Sequence, residues 1–126
     1  MDISRVYAAA ARDISIELFA KHELQRTKVE YYFNSGVLLL NIKKIKEDLV
    51  DQKIVNFYLN PPSEFIEDIT RTKLSWWHDQ TILNMFFSGK IKFIDPKFNV
   101  QSILFGYPQY DQYAREFGHR DLNNLI

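Results

Sequence analysis

Phe33-Asn34-Ser35-Gly36-Val37-Leu38-Leu39-Leu40-Asn41 decides how this chain folds. Val37 to Leu40 is too short and too uniformly apolar for an exposed element, and it follows a polar Asn-Ser-Gly entry. It reads as a central strand buried on both faces. From Asn41 the period changes. Ile42, Ile45 and Leu49 recur at helical spacing, and Lys43, Lys44, Lys46, Glu47 and Asp48 take the other face. The lysines, interleaved with acids, read as a solvated helix face rather than a phosphate site.

The same strand-then-helix grammar continues outward. Val6 to Ala11 is a short apolar run ending at Arg12-Asp13. It reads as a second buried strand, although alanine equally allows a helix. A helix is predicted over Ile54 to Leu59, before Pro61-Pro62, and a weak one over Glu64 to Thr72. Gln80 to Ser88 carries a broad apolar face, with Asp79 placed as its N-cap and Gly89 as its C-terminal cap. Ile91 to Ile94 is a further strand, and Asp95-Pro96-Lys97 a turn. The tail after Tyr107 mixes aromatics with charges. Strands alternating with helices give an α/β layered architecture in one domain.

Composition narrows the function classes. The hydrophobic share of 46%, with ten Phe, seven Tyr and two Trp, supports a real core in 126 residues. Sixteen basic and sixteen acidic residues cancel, so no global field favours nucleic acid or an anionic membrane. The absence of cysteine removes thiolate metal sites and a cysteine nucleophile. His22, His78 and His119 are scattered and read as surface residues rather than ligands. The N-terminus shows no targeting signal, and Val37 to Leu40 is far below a membrane span, so a cytoplasmic location is expected.

Three segments carry more than fold: Tyr31 to Lys44, Asp79-Gln80-Thr81-Ile82-Leu83-Asn84, and Lys90 to Gln101 with its Pro96-Lys97-Phe98-Asn99. In this order and spacing they closely resemble the family 8 retaining glycosyltransferases, which have a GT-A fold. That resemblance implies a partial GT-A-type α/β fold, a mixed sheet with flanking helices, within a single incomplete domain spanning 1–126. It implies a hexosyltransferase moving galactose or glucose from a UDP-sugar, with retention, to a glycan or glycolipid acceptor, as in lipopolysaccharide biosynthesis. Location at the membrane periphery is implied for the complete enzyme.

The resemblance also assigns residues. Asn34, with Ser35 and Gly36, matches donor-sugar contacts, and Asp13 matches a sugar-contacting acid. Asp79 and Gln80 are placed beneath the transferred sugar as the catalytic pair, with the Gln amide oxygen facing the anomeric carbon. The chemistry suits them. A hexose needs short polar groups held rigidly at strand and helix ends, and a carbonyl dipole can stabilise an oxocarbenium-like transition state without a formal charge. Plainer readings compete: Asn34-Ser35-Gly36 as a turn, Asp79 as a helix cap, Asp13 as a strand end, and Trp76 and Trp77 as core rather than acceptor platform. Thr81 stands where the family usually has a second acid.

The family's Mn²⁺ is held by an Asp-x-Asp motif, and no Asp-x-Asp occurs in this chain. No metal ligand is therefore assigned here, and the family's later His-x-x-Gly-x-x-Lys-Pro-Trp segment is also unmatched, Gly118-His119-Arg120 not fitting it. The expectation is a chain that transfers no sugar alone, or a non-catalytic sugar-binding or assembly module derived from such an enzyme. Stripped of sheet neighbours, it is also expected to self-associate. Incubated with UDP-galactose or UDP-glucose, Mn²⁺ and acceptor sugars, the purified chain should release no UDP above the uncatalysed rate, and light scattering should detect oligomers. Mn²⁺-dependent UDP release by a monodisperse monomer would overturn both expectations.

Overall fold

The computed structural model of the protein describes residues 1–66 and 78–101, apart from the side chains of Glu23, Arg26 and His78. The described part of the sheet has three strands: β1 (Ala8–Arg12), β2 (Phe33–Leu40) and β3 (Ile91–Phe93), in the order β2-β1-β3. β1 runs antiparallel to β2 and parallel to β3, so the sheet is mixed. Trp76, Trp77, His119 and the tail after Tyr107 lie outside the described residues, as does Glu64 to Thr72 beyond a helical turn at 63–66.

β1 occupies the centre, and the sequence explains how. Ala8, Ala9, Ala10 and Ala11 are all fully buried. Alanine favours helix in isolation, but methyl side chains let neighbouring strands and helices close over both faces, and that packing outweighs local preference. Ala8 and Ala10 join Phe33, Ile45, Val50 and Phe87 in the main core, with Leu38, Leu83 and Ile91 packed against it.

β2 departs from expectation. It lies at the edge of the described sheet, and the central place belongs to β1. Leu38, opposite Ala10, packs on the core, whereas Val37 and Leu39 turn to the other face and are 46% and 48% exposed. Leu40 is exposed as well, at 40%, and an apolar run buried on both faces looks like one buried at a single residue when every residue is Val or Leu. The strand also starts four residues earlier than read, at Phe33.

Helices pack around this sheet. α1 (Ile14–Phe19) and α2 (Lys21–Thr27) follow β1, with Ile16, Val29 and Tyr32 forming a second, smaller core. α3 (Ile42–Glu47) begins where predicted: the Asn41 side chain accepts the Lys44 N–H at 3.0 Å. The expected face of Ile42, Ile45 and Leu49 is only one-third buried, because Ile45 alone faces inward. Leu49 turns through a left-handed backbone (φ 56°), and Val50 then opens α4 (Val50–Leu59) in the buried position. Each lysine of α3 is answered by an acid: Lys43 by Glu47, Lys44 by Asp48 and Lys46 by Asp51. The solvated-face reading therefore stands.

α5 (His78–Phe87) begins at least one residue before the predicted cap, so Asp79 lies in the first turn, where a carboxylate still complements the helix dipole. Gly89 follows the helix at φ +73°, a conformation that only glycine adopts without strain, and the Lys90 N–H closes the end on the Phe87 carbonyl at 2.8 Å. After β3, the predicted turn is a short 3₁₀ helix (Pro96–Phe98), capped by the Asp95 side chain on the Lys97 N–H. None of the helices among the described residues is long and apolar enough to cross a membrane.

One polar triad ties α3 to the start of β1. The Tyr7 hydroxyl donates to Asp48 at 2.9 Å, and Lys44 donates to the same carboxylate at 2.9 Å. The Lys44 and Tyr7 hydrogen bonds hold the Asp48 carboxyl below the usual carboxylate range. Burial and the Asp48 contact push the Tyr7 phenol up, and the Asp48 hydrogen bond raises Lys44. Asp48, depressed on folding, contributes stability above the ordinary carboxylate pKa of about 4 that fades as pH falls through its folded value. Tyr7 and Lys44, both raised, lose their contribution only as pH climbs past their ordinary values. Asp48→Asn should accordingly be less stable than the parent to urea at pH 7, with the gap closing below about pH 4. An unchanged gap across that range would remove the triad from the account.

Candidate functional site

The site is built where β1 ends. Asp13 caps α1 and is fully buried. Its Oδ1 accepts from the Ile16 N–H at 2.9 Å and the Ser15 hydroxyl at 2.7 Å. Its Oδ2 accepts from Asn34 Nδ2 at 2.8 Å and Gln80 Nε2 at 2.9 Å. A buried carboxylate is tolerable only with such compensation.

β2 supplies the next group through a local irregularity. From Ala10 to Arg12, β1 advances two residues while β2 runs back five, from Leu38 to Phe33. The surplus falls on Asn34, Ser35 and Gly36, which swell out of the ladder and are re-aimed by it. Asn34 Oδ1 turns back to accept the Gly36 N–H at 2.9 Å and also takes Asn99 Nδ2 at 2.8 Å. A Cβ on Gly36 would sit 2.9 Å from that oxygen, so glycine is what allows the close return. Ser35 presents its N–H to Gln80 Oε1 at 2.8 Å and its hydroxyl at 3.2 Å.

α5 brings in Gln80, which is buried, and anchors itself through Asn84. The Asn84 amide exchanges two hydrogen bonds with the Phe33 backbone at 2.9 Å, much as a neighbouring strand would, and donates to the Gln80 carbonyl at 2.9 Å. The structure thus brings Asp13, Asn34, Ser35 and Gln80 into one hydrogen-bonded cluster, with Gly36 at its edge. Asp79 stands outside it, exposed on the first turn of α5.

The cluster has one polarity. Asn34 and Gln80 each spend their carbonyl oxygen on two fixed protein donors and one N–H on Asp13, which among the described residues leaves one N–H apiece. The Gln80 oxygen therefore faces Ser35 in this structure. Beside the cluster, Arg12 pairs with Glu17 and lies 4.5 Å over the Tyr31 ring, which meets Phe93 edge-on. A separate cavity of about 580 Å³, lined by residues including Ile3, Asn41 and Lys44, shares no residue with the cluster.

Five of the residues singled out from the sequence, Asp13, Asn34, Ser35, Gly36 and Gln80, thus lie together. The family model described as glycosyl transferase family 8 matches residues 1–120. This chain belongs to glycosyltransferase family 8. It is 35% identical over 103 residues to a Haemophilus influenzae protein whose own designation as a glycosyltransferase is provisional, covering 79% of this chain and 28% of that protein. It is 34% identical over 76 residues to the lipopolysaccharide 1,3-galactosyltransferase of Salmonella typhimurium, covering 60% of this chain and 20% of the relative. The galactosyltransferase LgtC, solved with donor and acceptor sugar analogs, superposes with a TM-score of 0.62 at 25% identity over 94% of this chain and 41% of LgtC. The fold is thus that of the GT-A glycosyltransferases, and the chain spans less than a third of the length of the curated relatives it matches.

A family 8 chain raises the question of a metal, and its described residues do not fit one. They contain no group of three His, Asp or Glu side chains placed to share an ion, and both oxygens of Asp13 are taken by protein donors. Three amides that hold the cluster from outside were given no site role by the motifs: Asn84, Asn99 and Gln101. All lie inside the quoted segments, and their amides were the available signal. Thr81, in place of the usual family acid, is buried with its hydroxyl 2.9 Å from that of Tyr32. A carboxylate there would have to be desolvated. Thr81→Val, which removes this hydroxyl contact, should cost about 0.5–1.5 kcal/mol, read from urea unfolding. A neutral Thr81→Val would show that the pair contributes nothing.

Proposed function

We propose that this family 8 chain is the sugar-recognising part of a retaining hexosyltransferase. The donor would be UDP-galactose or UDP-glucose, and the acceptor a glycan or glycolipid of the lipopolysaccharide type. The observation that carries this reading is the single-polarity cluster at the end of β1, in which, among the described residues, two side-chain amides each keep one N–H after binding a buried carboxylate. Sugar hydroxyl oxygens accept such hydrogen bonds, and rigidly held donors discriminate between hydroxyl positions.

In this reading Asn34 and Gln80 donate to the hexose, and the exposed Asp79 carboxylate accepts from one of its hydroxyls. Ser35 and Gly36 shape the bulge that presents Asn34. Asp13 works from behind: its charge orients both amides and lends the sugar-facing side a negative potential suited to an oxocarbenium-like transition state. Mn²⁺, where the complete enzyme uses it, would be held by residues other than the described ones, and no step here passes through it. A cytoplasmic enzyme working at the membrane periphery fits the acceptor class proposed.

A second reading, a non-catalytic sugar-binding or assembly module, draws on a specific feature. The Gln80 oxygen is occupied by Ser35 and the Thr81 hydroxyl faces Tyr32, so much of the Asp79-Gln80-Thr81 segment is engaged in packing.

The two separate by kinetics in a full-length family transferase carrying this sequence. Gln80→Ala should lower kcat by about ten- to a thousandfold, because it removes both a hexose donor and a partner that holds the Asp13 carboxylate behind the reacting sugar. Asn34→Ala should raise the donor KM as well, since a bound hydroxyl loses its partner. Full kcat in a folded Gln80→Ala protein would favour the module.

A further inference from the structure

Asn99 and Gln101 enter the cluster from the far end of the described chain. The Gln101 side chain donates from Nε2 to the Arg12 carbonyl at 2.7 Å and accepts the Ile14 N–H on Oε1 at 3.1 Å. Those are the backbone groups on either side of Asp13. One amide, 87 residues away in sequence from Ile14, thus brackets the residue that orients Asn34 and Gln80. Ile14 opens α1, so its N–H is among the helix-start donors left without an intrahelical partner, and Gln101 answers it. Asn99, two residues earlier, supplies one of the two donors on the Asn34 carbonyl.

The geometry matters because an amide has almost the same shape when turned over. Sterics do not choose which end of Asn34 or Gln80 points at a ligand; the hydrogen-bond partners do. Asp13 makes that choice for both, and it can do so only if its own backbone is held. The cap on Ile16 and the contact to Ser15 hold the carboxylate from one side. Gln101 holds the main chain from the other.

We propose that Gln101 and Asn99 are positioning residues of the sugar site. Gln101 locks the backbone across Asp13, and Asn99 reinforces the orientation that Asp13 gives the Asn34 amide, so the stretch after β3 acts as a clamp on groups contributed by β1 and β2. The sugar role of the clamp rests on the function proposed above; the clamp itself does not.

The test separates the two. In ¹⁵N-labelled protein, Gln101→Met should speed hydrogen exchange at the Ile14 N–H by at least about tenfold, the protection expected of a lost hydrogen bond worth about 1.4 kcal/mol. It should also move the side-chain NH₂ resonances of both Asn34 and Gln80. Asn99→Ala leaves the Gln101 contacts intact. It should move the Asn34 resonances while Ile14 exchange stays at the parent rate, and it carries the test if Gln101→Met does not fold. A folded Gln101→Met protein with a lower melting temperature but unmoved Asn34 and Gln80 amides would overturn the proposal and leave Gln101 a structural tie only. In a full-length transferase, the same substitution should raise the donor KM about tenfold or more. Moved amides with an unchanged donor KM would uphold the clamp and overturn the sugar role assigned to these amides.

Discussion

A buried carboxylate with four hydrogen-bond donors holds one end of the sheet together. Asp13 takes two donors from the start of α1, one from the bulge of β2 and one from α5. Burying a charge without such partners costs several kcal/mol, and each hydrogen bond to a charged group returns about 1.5–3 kcal/mol net. Separate pieces of chain are therefore bound to one point, and each loses its own fixed geometry if that point is removed. The side-chain orientations described for Asn34, Ser35 and Gln80 all follow from it.

That point is carried on an unusual support. A strand of alanines would be a weak strand in isolation, yet Ala8 to Ala11 are completely enclosed. Their small size places β2 and β3 on either side and lets the core of Phe33, Ile45, Val50 and Phe87 close over one face. The tight centre then delivers Arg12 and Asp13 to the sheet end, where the β2 bulge meets them. The ring contacts of Phe87 with Tyr7 and Phe33, at 5.5 and 6.3 Å between centroids, bring α5 against the same sheet. Packing of small and aromatic residues thus brings the polar groups within hydrogen-bonding distance, and the polar groups in turn determine which way each amide faces.

Much of this was legible in advance. The short apolar runs and period changes located β1, β2, β3, α3, α4 and α5, because hydrophobic periodicity and the glycine cap at Gly89 are local properties. Asn34, Gln80 and Asp13 were legible as polar residues at element ends within recognisable motifs. The helices α1 and α2 were not placed from the sequence, and three further features were not legible. The edge position of β2 depends on which strand lies between the others, and a run of Val and Leu carries no alternation to reveal it. The break at Leu49 depends on a left-handed residue that no glycine announces. Gln101 and Asn99 act over more than sixty residues of chain, beyond the reach of any local pattern.

The division between sequence and structure is physical. The sequence by itself determined the family, the α/β alternation, and the residue types that can bind a sugar, because each is written in order, spacing or side-chain chemistry. Only the tertiary structure decided what those side chains have left to offer. Asp13 proves to be enclosed rather than presented, the carbonyl oxygens of Asn34 and Gln80 are already occupied, and one N–H on each is without a partner among the described residues. A hydrogen-bonding group has a fixed number of donors and acceptors, and how they are divided between protein and ligand depends on partners that the chain brings close only by folding.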